Sequence, residues 1–528
     1  MNWEVIAFVI YFCLVIGIGV YFYIRSRSGG EKEYFLGGRS MSGPVAALSA
    51  GASDMSAWVL LGLPGAIYMS GISKSWISIG LFIGTFLAWV FVAPRLRTFS
   101  IAANDSITIP QYLNNRFLSS NIALQATCAI VFIVVYCIYS ASSISACGDL
   151  FQTVFDLDKG GRNTAMAAAA IIIVAYTFLG GFNAVCWTDF FQGLLMLGAL
   201  MAAPIVAVFV MKGASFTAKP DELGDFYYNL LSTGKLDGAA LVTILSGLGW
   251  GLGYFGMPHI LVRYMSIRSK KEMKRSQTIG IIWTFLILLM ATIVGIVARQ
   301  YIGNELIPVK ELGIPDKTGT AFMLLVRGVF PTVLAGVLLS AILAASMSTA
   351  DSQLLASASA FSSDIYKPVR KNASDKEIMW AGRFVVAFIC AVAFLIAFLG
   401  NKSIMDLVEK AWGAFGAAFG PAILLSLYWK RFNYAGAISG IISGFVVDLG
   451  WAMACGTLIF DSEHALLKNS VLCGLYEIIP GFLVSLLVCV VVTKCTAEPG
   501  KEVEEMFDRA VRLTEEEEAD ERKDSAEM

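Results

Sequence analysis

Asp54 has the most unusual surroundings of any charged residue in this chain. It stands in ALSAGASDMSAWVLLGLPGA (47–66), amid Gly51, Ser53, Ser56, Gly62, Pro64 and Gly65, with no basic residue nearby in sequence. A lone carboxylate at membrane depth costs about 3 kcal/mol on insertion scales unless a cation, a partner or water meets it. The glycines, the proline and the small residues around it describe a helix that can open and turn its carbonyls inward. An acid at such a break suggests a cation site. The competing structural reading is a kinked helix whose Asp caps a half-helix amide end.

A second set of oxygen donors lies in SAILAASMSTADSQLL (340–355): the hydroxyls of Ser346, Ser348, Thr349 and Ser352, and the carboxylate of Asp351. Ser348 and Ser352 are four apart and share a helix face. Hydroxyl and carbonyl oxygens suit a hard monovalent cation, which a thiol or imidazole site would not. Hydroxyls bonding back to the i−4 carbonyl are the commoner use in a helix. Together with the Asp54 stretch, an oxygen-lined Na⁺ site becomes the better reading. A third stretch, SGLGWGLGYFGMP (246–258), holds five glycines and a proline with Trp250, Tyr254 and Phe255 between them. Glycine at this density weakens a plain helix by about 1 kcal/mol per residue. Opened backbone and aromatic rings lining a small-molecule site would offset that; for the glycines, close helix packing is an equal alternative.

The elements that must position these stretches are membrane spans. The 528 residues are 57% hydrophobic and 15% charged, which places the chain in the integral-membrane class, in a lipid bilayer. A net charge of -1 gives no argument for nucleic acid. Ten cysteines, scattered singly and without a CxxC, read as small buried residues rather than a disulfide framework or metal site. His259 and His464 are too few for a histidine metal centre. No nucleophile–base pair or ligand cluster stands among the spans, so an enzyme is not expected, and no obligatory protein partner is evident. The first apolar run is long enough to span and no cleavage site follows it.

About thirteen apolar runs of spanning length occur, near 4–24, 44–69, 76–94, 123–143, 164–180, 189–211, 239–258, 279–301, 322–348, 381–399, 405–428, 434–456 and 471–493. Basic residues cluster after odd-numbered runs only: Arg25 and Arg27; Arg95 and Arg97; Arg263, Arg268, Lys270, Lys271, Lys274 and Arg275; Lys367, Arg370, Lys371 and Lys376; Lys430 and Arg431. The loops 149–163 and 213–237 are mixed or acidic. The positive-inside rule then puts the N-terminus outside and the C-terminus in the cytoplasm. Residues 107–113 (ITIPQYL) read as interfacial or re-entrant, and residues 497–528 as a solvated acidic cytoplasmic tail, helical then disordered. The interrupted runs are the second and the seventh, five apart, as in inverted-repeat transporters. This predicts an all-α transmembrane domain over 1–496, with a five-plus-five core in about 44–211 and 239–428. The first, twelfth and thirteenth runs are then peripheral.

The stretches YFLGGRS (34–40), ALSAGASDMSAWVLLGLPGA (47–66), SGISKSWISIG (70–80), GGFNAVCWTDFFQ (180–192), GWGLGYFGMPHIL (249–261), LLSAILAASMST (338–349), AWGAFGAAFGP (411–421) and LYEIIPGF (475–482) carry a resemblance to a known family. The chain resembles the sodium:solute symporter family, in its Na⁺/proline branch, over nearly its whole length. That resemblance implies a thirteen-span LeuT-like fold and coupled uptake of Na⁺ and L-proline across the cell membrane. It implies a Na⁺ site made of the Ala52, Met55 and Ala345 carbonyls and the Ser348 and Thr349 hydroxyls, with Asp54 as the acid on which coupling depends. It implies a substrate pocket of Ser56, Trp58, Tyr139, Trp250, Tyr254 and Pro258, bordered by Ser352. Arg39 and Asp189, the latter at the start of the sixth span, match positions linked to ion access, with an ion-pair or cap role equally open. Three residues depart from the branch's pattern: Ala57 where glycine is usual, Ser352 where cysteine can occur, and Asp351 where a neutral residue is common. On the same fold, a symporter of another small amino or organic acid, or one driven by H⁺ or Li⁺, is the alternative.

Overall fold

The computed structural model describes residues 3–25, 30–211, 226–306, 317–400, 403–457 and 470–526. Arg27, His464 and positions 213–225 of the second acidic loop lie outside them. The described chain is helical, with one isolated bridge, Met41 to Ile267. In order the principal helices are α1 (Trp3–Arg25), α2 (Gly43–Asp54), α3 (Trp58–Ser70), α4 (Ile72–Ala102), α5 (Ile109–Arg116), α6 (Ala123–Phe155), α7 (Lys159–Val210), α8 (Gly238–Gly249), α9 (Pro258–Ser266), α10 (Lys270–Ile302), α11 (Thr332–Phe361), α12 (Asp375–Leu399), α13 (Ile404–Tyr428), α14 (Tyr434–Cys455), α15 (Ile478–Cys495) and α16 (Lys501–Ala526).

Among the described residues, 11 helices are long and apolar enough to cross a membrane, or 12 with α2 and α3 taken as one bent span. The expected fifth span, 164–180, is helical but is not counted among them; the side chains at 176, 179 and 180 are not described. It runs into the sixth span through Gly181, whose left-handed φ of 61° breaks α7 there. The sixth span therefore begins well before Asp189, which lies inside the helix and not at its start. The ninth span is also displaced from 322–348. Phe330 is extended (φ −113°, ψ 148°) before Pro331, and the buried helix starts only at Thr332. Proline disfavours the helical region for the residue ahead of it, and that decides the boundary.

Burial separates the centre from the rim. In the apolar stretches of α11 and α13, 83% of residues are buried, against 28% in α1 and 33% in α14 and α15. The last three are the elements expected to be peripheral. Of the glycines of 246–258, Gly251 and Gly256 are explained by contact between backbones, whereas Gly249 and Gly253 make room for the Ile479 and Trp412 side chains. A Cβ on Gly251 would lie 2.3 Å from the Gly80 carbonyl oxygen, and one on Gly84 2.2 Å from the Gly251 oxygen. Packing α4 this closely against the seventh span requires glycine on both sides.

Three further expectations are corrected. Cys455 and Cys473 form a disulfide, joining the end of α14 to the turn Val471–Gly474; a pairing set by the fold of a loop leaves no local pattern in sequence. Arg263 is not a loop cation but is 2% exposed within α9. The tail is not solvated all round: α16 buries Val503, Met506, Phe507 and Ala510, with Phe507 5.2 Å from Phe99 and 4.8 Å from the Arg116 guanidinium. An acidic helix with one apolar stripe folds onto a surface when that surface offers a matching face. Residues 109–116 form a short, largely buried helix whose Tyr112 hydroxyl shares a hydrogen bond with Ser426 at 2.9 Å, so this segment packs against the bundle.

Candidate functional site

Two breaks meet at the centre of the bundle. α2 ends at Asp54, Met55 leaves helical geometry (φ −80°, ψ 69°), and the chain turns by 61° into α3. The Ser56 N–H donates to the Asp54 carbonyl at 2.9 Å, and one wide π turn, Trp58–Gly62, follows. Opposite, α8 gives way to a 3₁₀ turn over Trp250–Phe255; Met257 is extended and Pro258 opens α9. Tyr254 donates its phenolic hydrogen to Asp54 Oδ2, which ties the two breaks together. Asp54 Oδ1 is buried and has no hydrogen-bond partner among the described residues.

Aromatic rings surround this junction. The Trp250 ring lies 5.9 Å from Trp58, 6.4 Å from Trp412 and 5.1 Å from Tyr476, and Tyr254 meets Trp412 edge-on at 5.2 Å. The Trp412 indole donates to the Trp250 carbonyl at 2.7 Å. Trp412 and Tyr476 were missed in sequence as site residues, although both stand in motifs that carry the family resemblance. Their distance along the chain from 246–258 hid the partnership. Ser56 is buried beside Trp58, and the buried Tyr139 hydroxyl has no close hydrogen-bond partner among the described residues. Ala57 is fully buried at the same break.

The oxygen set gathers one turn away. Ser348 Oγ donates to the Ala52 carbonyl at 2.8 Å and approaches the Ala345 carbonyl at 3.2 Å. Thr349 Oγ1 is buried with no hydrogen-bond partner among the described residues, and Met55, fully buried, is the residue at the break itself. The structure thus brings Ala52, Ala345 and Ser348 together and leaves a hydroxyl beside them unsatisfied. A small hard cation would satisfy such a set. Ser346 is different: its hydroxyl bonds back to the Ile342 carbonyl at 2.8 Å.

Ser352 and Asp351 join another group. The Arg263 guanidinium reaches Asp189 Oδ2 (3.1 Å), Ser49 Oγ (3.0 Å), the His259 carbonyl (2.6 Å) and Ser352 Oγ, and it lies 5.5 Å over the Phe182 ring. Ser49 Oγ also donates to Asp189 at 2.7 Å, and Ser352 Oγ donates to Asp351 Oδ1 at 3.2 Å. Ser352 therefore sits in a buried ionic network rather than among the aromatic rings. Asp351 is fully buried and touches that network through the Ser352 hydroxyl. Burying an ion pair removes its solvation, so this one is retained by its hydrogen bonds and not by Coulomb attraction alone.

At one end of α4, Arg97 donates to the Ile267 carbonyl at 2.7 Å. Arg39 beside it reaches Asp105 (2.8 Å), the Ser106 carbonyl (2.8 Å) and the Met265 carbonyl (2.6 Å). These bonds draw the loops at that end together. At the other end of α4 a cavity of about 570 Å³ opens, with Trp76 and Trp250 in its wall.

The sequence pattern of the sodium:solute symporter family matches residues 34–444. The sodium/proline symporters of Staphylococcus aureus strains JH9 and COL are each 40% identical over 513 residues, 95% of either chain. A substrate-bound, outward-open Na⁺-coupled sialic acid symporter superposes over 95% of this chain and 99% of its own (TM-score 0.74, 20% identity). MhsT in complex with L-phenylalanine superposes over 85% and 99% (TM-score 0.51, 14% identity). The last two are likenesses of fold.

Proposed function

We propose, because the chain belongs to the sodium:solute symporter family, that it carries L-proline with Na⁺ into the cell by alternating access. Proline is supported by the name of the 40% identical relatives. The observation that carries the ion half is Ser348, on α11, donating to the Ala52 carbonyl at the end of α2. Na⁺ bound by Ala52, Met55, Ala345, Ser348 and Thr349 would replace that single hydrogen bond by several ion contacts, drawing α2 and α11 together. Asp54 then acts through Tyr254: fixing α2 on one side also fixes the 3₁₀ turn that holds Trp250. Proline would lie among Ser56, Trp58, Tyr139, Trp250, Tyr254 and Pro258, its ring on the aromatic faces and its carboxylate at opened helix amides. Coupling of this kind is reciprocal: Na⁺ raises proline affinity by the factor by which proline raises Na⁺ affinity. Each inward charge supplies ~2.3 kcal/mol per 100 mV.

The basic clusters support a cell-membrane protein with its N-terminus outside and its C-terminus in the cytoplasm. The end closed by Arg39 and Arg97 is then the inner one, and the 570 Å³ cavity is an outer vestibule. Uptake of labelled L-proline into proteoliposomes, with and without an inward Na⁺ gradient, tests the reading. Accumulation should require Na⁺ and be lost in Asp54→Ala; uptake that follows a pH gradient instead would overturn the ion, and no proline uptake under any gradient would overturn the substrate.

A further inference from the structure

The acidic helix α16 lies across the inner end of the bundle and touches two groups of elements. One group is tied to the broken spans. α4 is seated against the seventh span through Gly80, Gly84 and Gly251, and its inner end holds the segment after α9 through Arg97 and the Ile267 carbonyl (2.7 Å). The other group is α5 with α11 and α13. The Thr108 hydroxyl at the head of α5 donates to Asp364, just past the end of α11, at 2.8 Å. Arg116 Nε, at the other end of α5, donates to the Ser426 carbonyl of α13 at 3.0 Å. The two groups also meet directly, where the Tyr428 hydroxyl donates to the Phe91 carbonyl at 2.7 Å.

The buried residues of α16, Val503, Met506, Phe507 and Ala510, fall at i, i+3, i+4 and i+7 and so form one helix face. That face spans both groups. The Phe507 ring lies 5.2 Å from Phe99 of α4 and 4.8 Å from the Arg116 guanidinium of α5. One turn on, the Thr514 and Thr98 hydroxyls share a hydrogen bond at 2.7 Å. Lys430, in the turn after α13, pairs with Asp508 at 2.8 Å; this pair is exposed and adds little. The contact is also one that can be released. Arg116 Nη1 and Nη2 are buried with no hydrogen-bond partner among the described residues, and the Phe507 ring covers that guanidinium. Leaving such donors dry is costly. Lifting α16 would return them to water and offset part of the apolar surface it exposes.

We propose that α16 is a strap that holds the inner end of α4 against α5 and α13, and that it must yield at Phe507 and Thr514 each time the inner end opens. In this structure the cavity lies at the outer end, and Arg39 and Arg97 draw the inner loops together. The strap is engaged in that arrangement, so it favours the inner-closed form over the inner-open one. The inference rests on the alternating-access reading above.

The test fixes the strap and then loosens it. Thr98→Cys combined with Thr514→Cys, in the full chain, is oxidised to a disulfide and reconstituted in proteoliposomes. Na⁺-driven uptake of labelled L-proline should fall at least tenfold and return on reduction, while proline binding at saturating Na⁺ stays within about twofold of wild type. Wild type taken through the same oxidation and reduction controls for Cys455–Cys473. The loosening variant is Phe507→Ala, with Ser266→Cys as reporter and Cys495→Ser as background. Ser266 is fully buried next to Met265, whose carbonyl accepts from Arg39. Labelling of the reporter by a membrane-impermeant maleimide at the inner face should rise about threefold or more with Phe507→Ala. A cross-linked form that transports at the wild-type rate overturns the strap, as does failure of the two cysteines to cross-link. Loss of proline binding on cross-linking would place the effect at the central site and overturn it too. Unchanged or slower labelling in Phe507→Ala shows that α16 does not hold the inner end closed. No Na⁺-driven uptake by the wild type overturns the transport reading instead, and the labelling comparison, which needs no substrate, then decides the strap.

Discussion

Tyr254 and Asp54, 200 positions apart, are joined by a hydrogen bond from the phenol to the carboxylate, and this bond links the breaks of two different spans. Both residues are buried, and the second carboxylate oxygen has no partner among the described residues. The acid at the first break is thus held by the second, rather than by the oxygen set around Ser348. Movement at either break must be felt at the other.

Tyr254→Phe removes the donor and keeps the ring against Trp412. Leaving a buried charged group without its hydrogen bond costs on the order of 1.5–3 kcal/mol. The Na⁺ concentration that half-saturates proline uptake should rise about tenfold or more. An unchanged Na⁺ dependence in Tyr254→Phe would show that Asp54 acts without its partner.

Ser348 and Ser346 are two residues apart on α11 and make opposite predictions. The Ser348 hydroxyl crosses to Ala52, whereas the Ser346 hydroxyl satisfies its own helix. Ser348→Ala should weaken Na⁺ activation by roughly tenfold, the worth of one hydrogen bond to a charged group. Ser346→Ala should change it less than about twofold. Equal effects of the two, measured as Na⁺ titrations of uptake, would argue against an ion site between α2 and α11.

The Arg263–Asp189 pair, 2% and 0% exposed, is expected to cost more when halved than when removed. Arg263→Gln strands Asp189 and should lower stability by about 3–5 kcal/mol. Replacing both, as Arg263→Met with Asp189→Leu, should recover much of that. Thermal unfolding of the purified protein gives the comparison. A double variant no more stable than Arg263→Gln would mean the network around Ser49 and Ser352, not the stranded charge, is what matters.

Gly251→Ala forces a Cβ to within 2.3 Å of the Gly80 carbonyl, where backbone cannot yield. Overpacking of this kind costs about 1–3 kcal/mol or more, and a loss of folded protein in the membrane is expected. Gly198, also helical, has nothing within 4 Å of where its Cβ would be. Gly198→Ala should therefore be neutral or stabilising by up to about 1 kcal/mol. If both variants fold equally well, as judged by monodispersity in detergent, the close contact of α4 with the seventh span is not as tight as described.

Hydropathy, charge placement and the positions of glycine and proline were sufficient to read a helical membrane protein from sequence. They also placed the interruptions at 47–66 and 246–258 and the peripheral nature of the first and last spans. Those features are local: a span needs about 20 apolar residues, and a broken helix leaves its small residues in one stretch. The role of Arg263 was not local. In sequence it stands at the head of a cationic loop and reads as one more inside charge. Only its burial opposite Asp189, 74 positions earlier, makes it part of the interior. The same holds for Trp412 and Tyr476, whose partner Trp250 lies on another span, and for Cys455 with Cys473. Ser346, Ser348 and Ser352 are alike in sequence as hydroxyls on one helix. Tertiary structure separates them into a helix back-bond, a bridge to Ala52 and a ligand of Arg263, because a hydroxyl's role is set by which acceptor or donor the neighbouring span brings within about 3 Å.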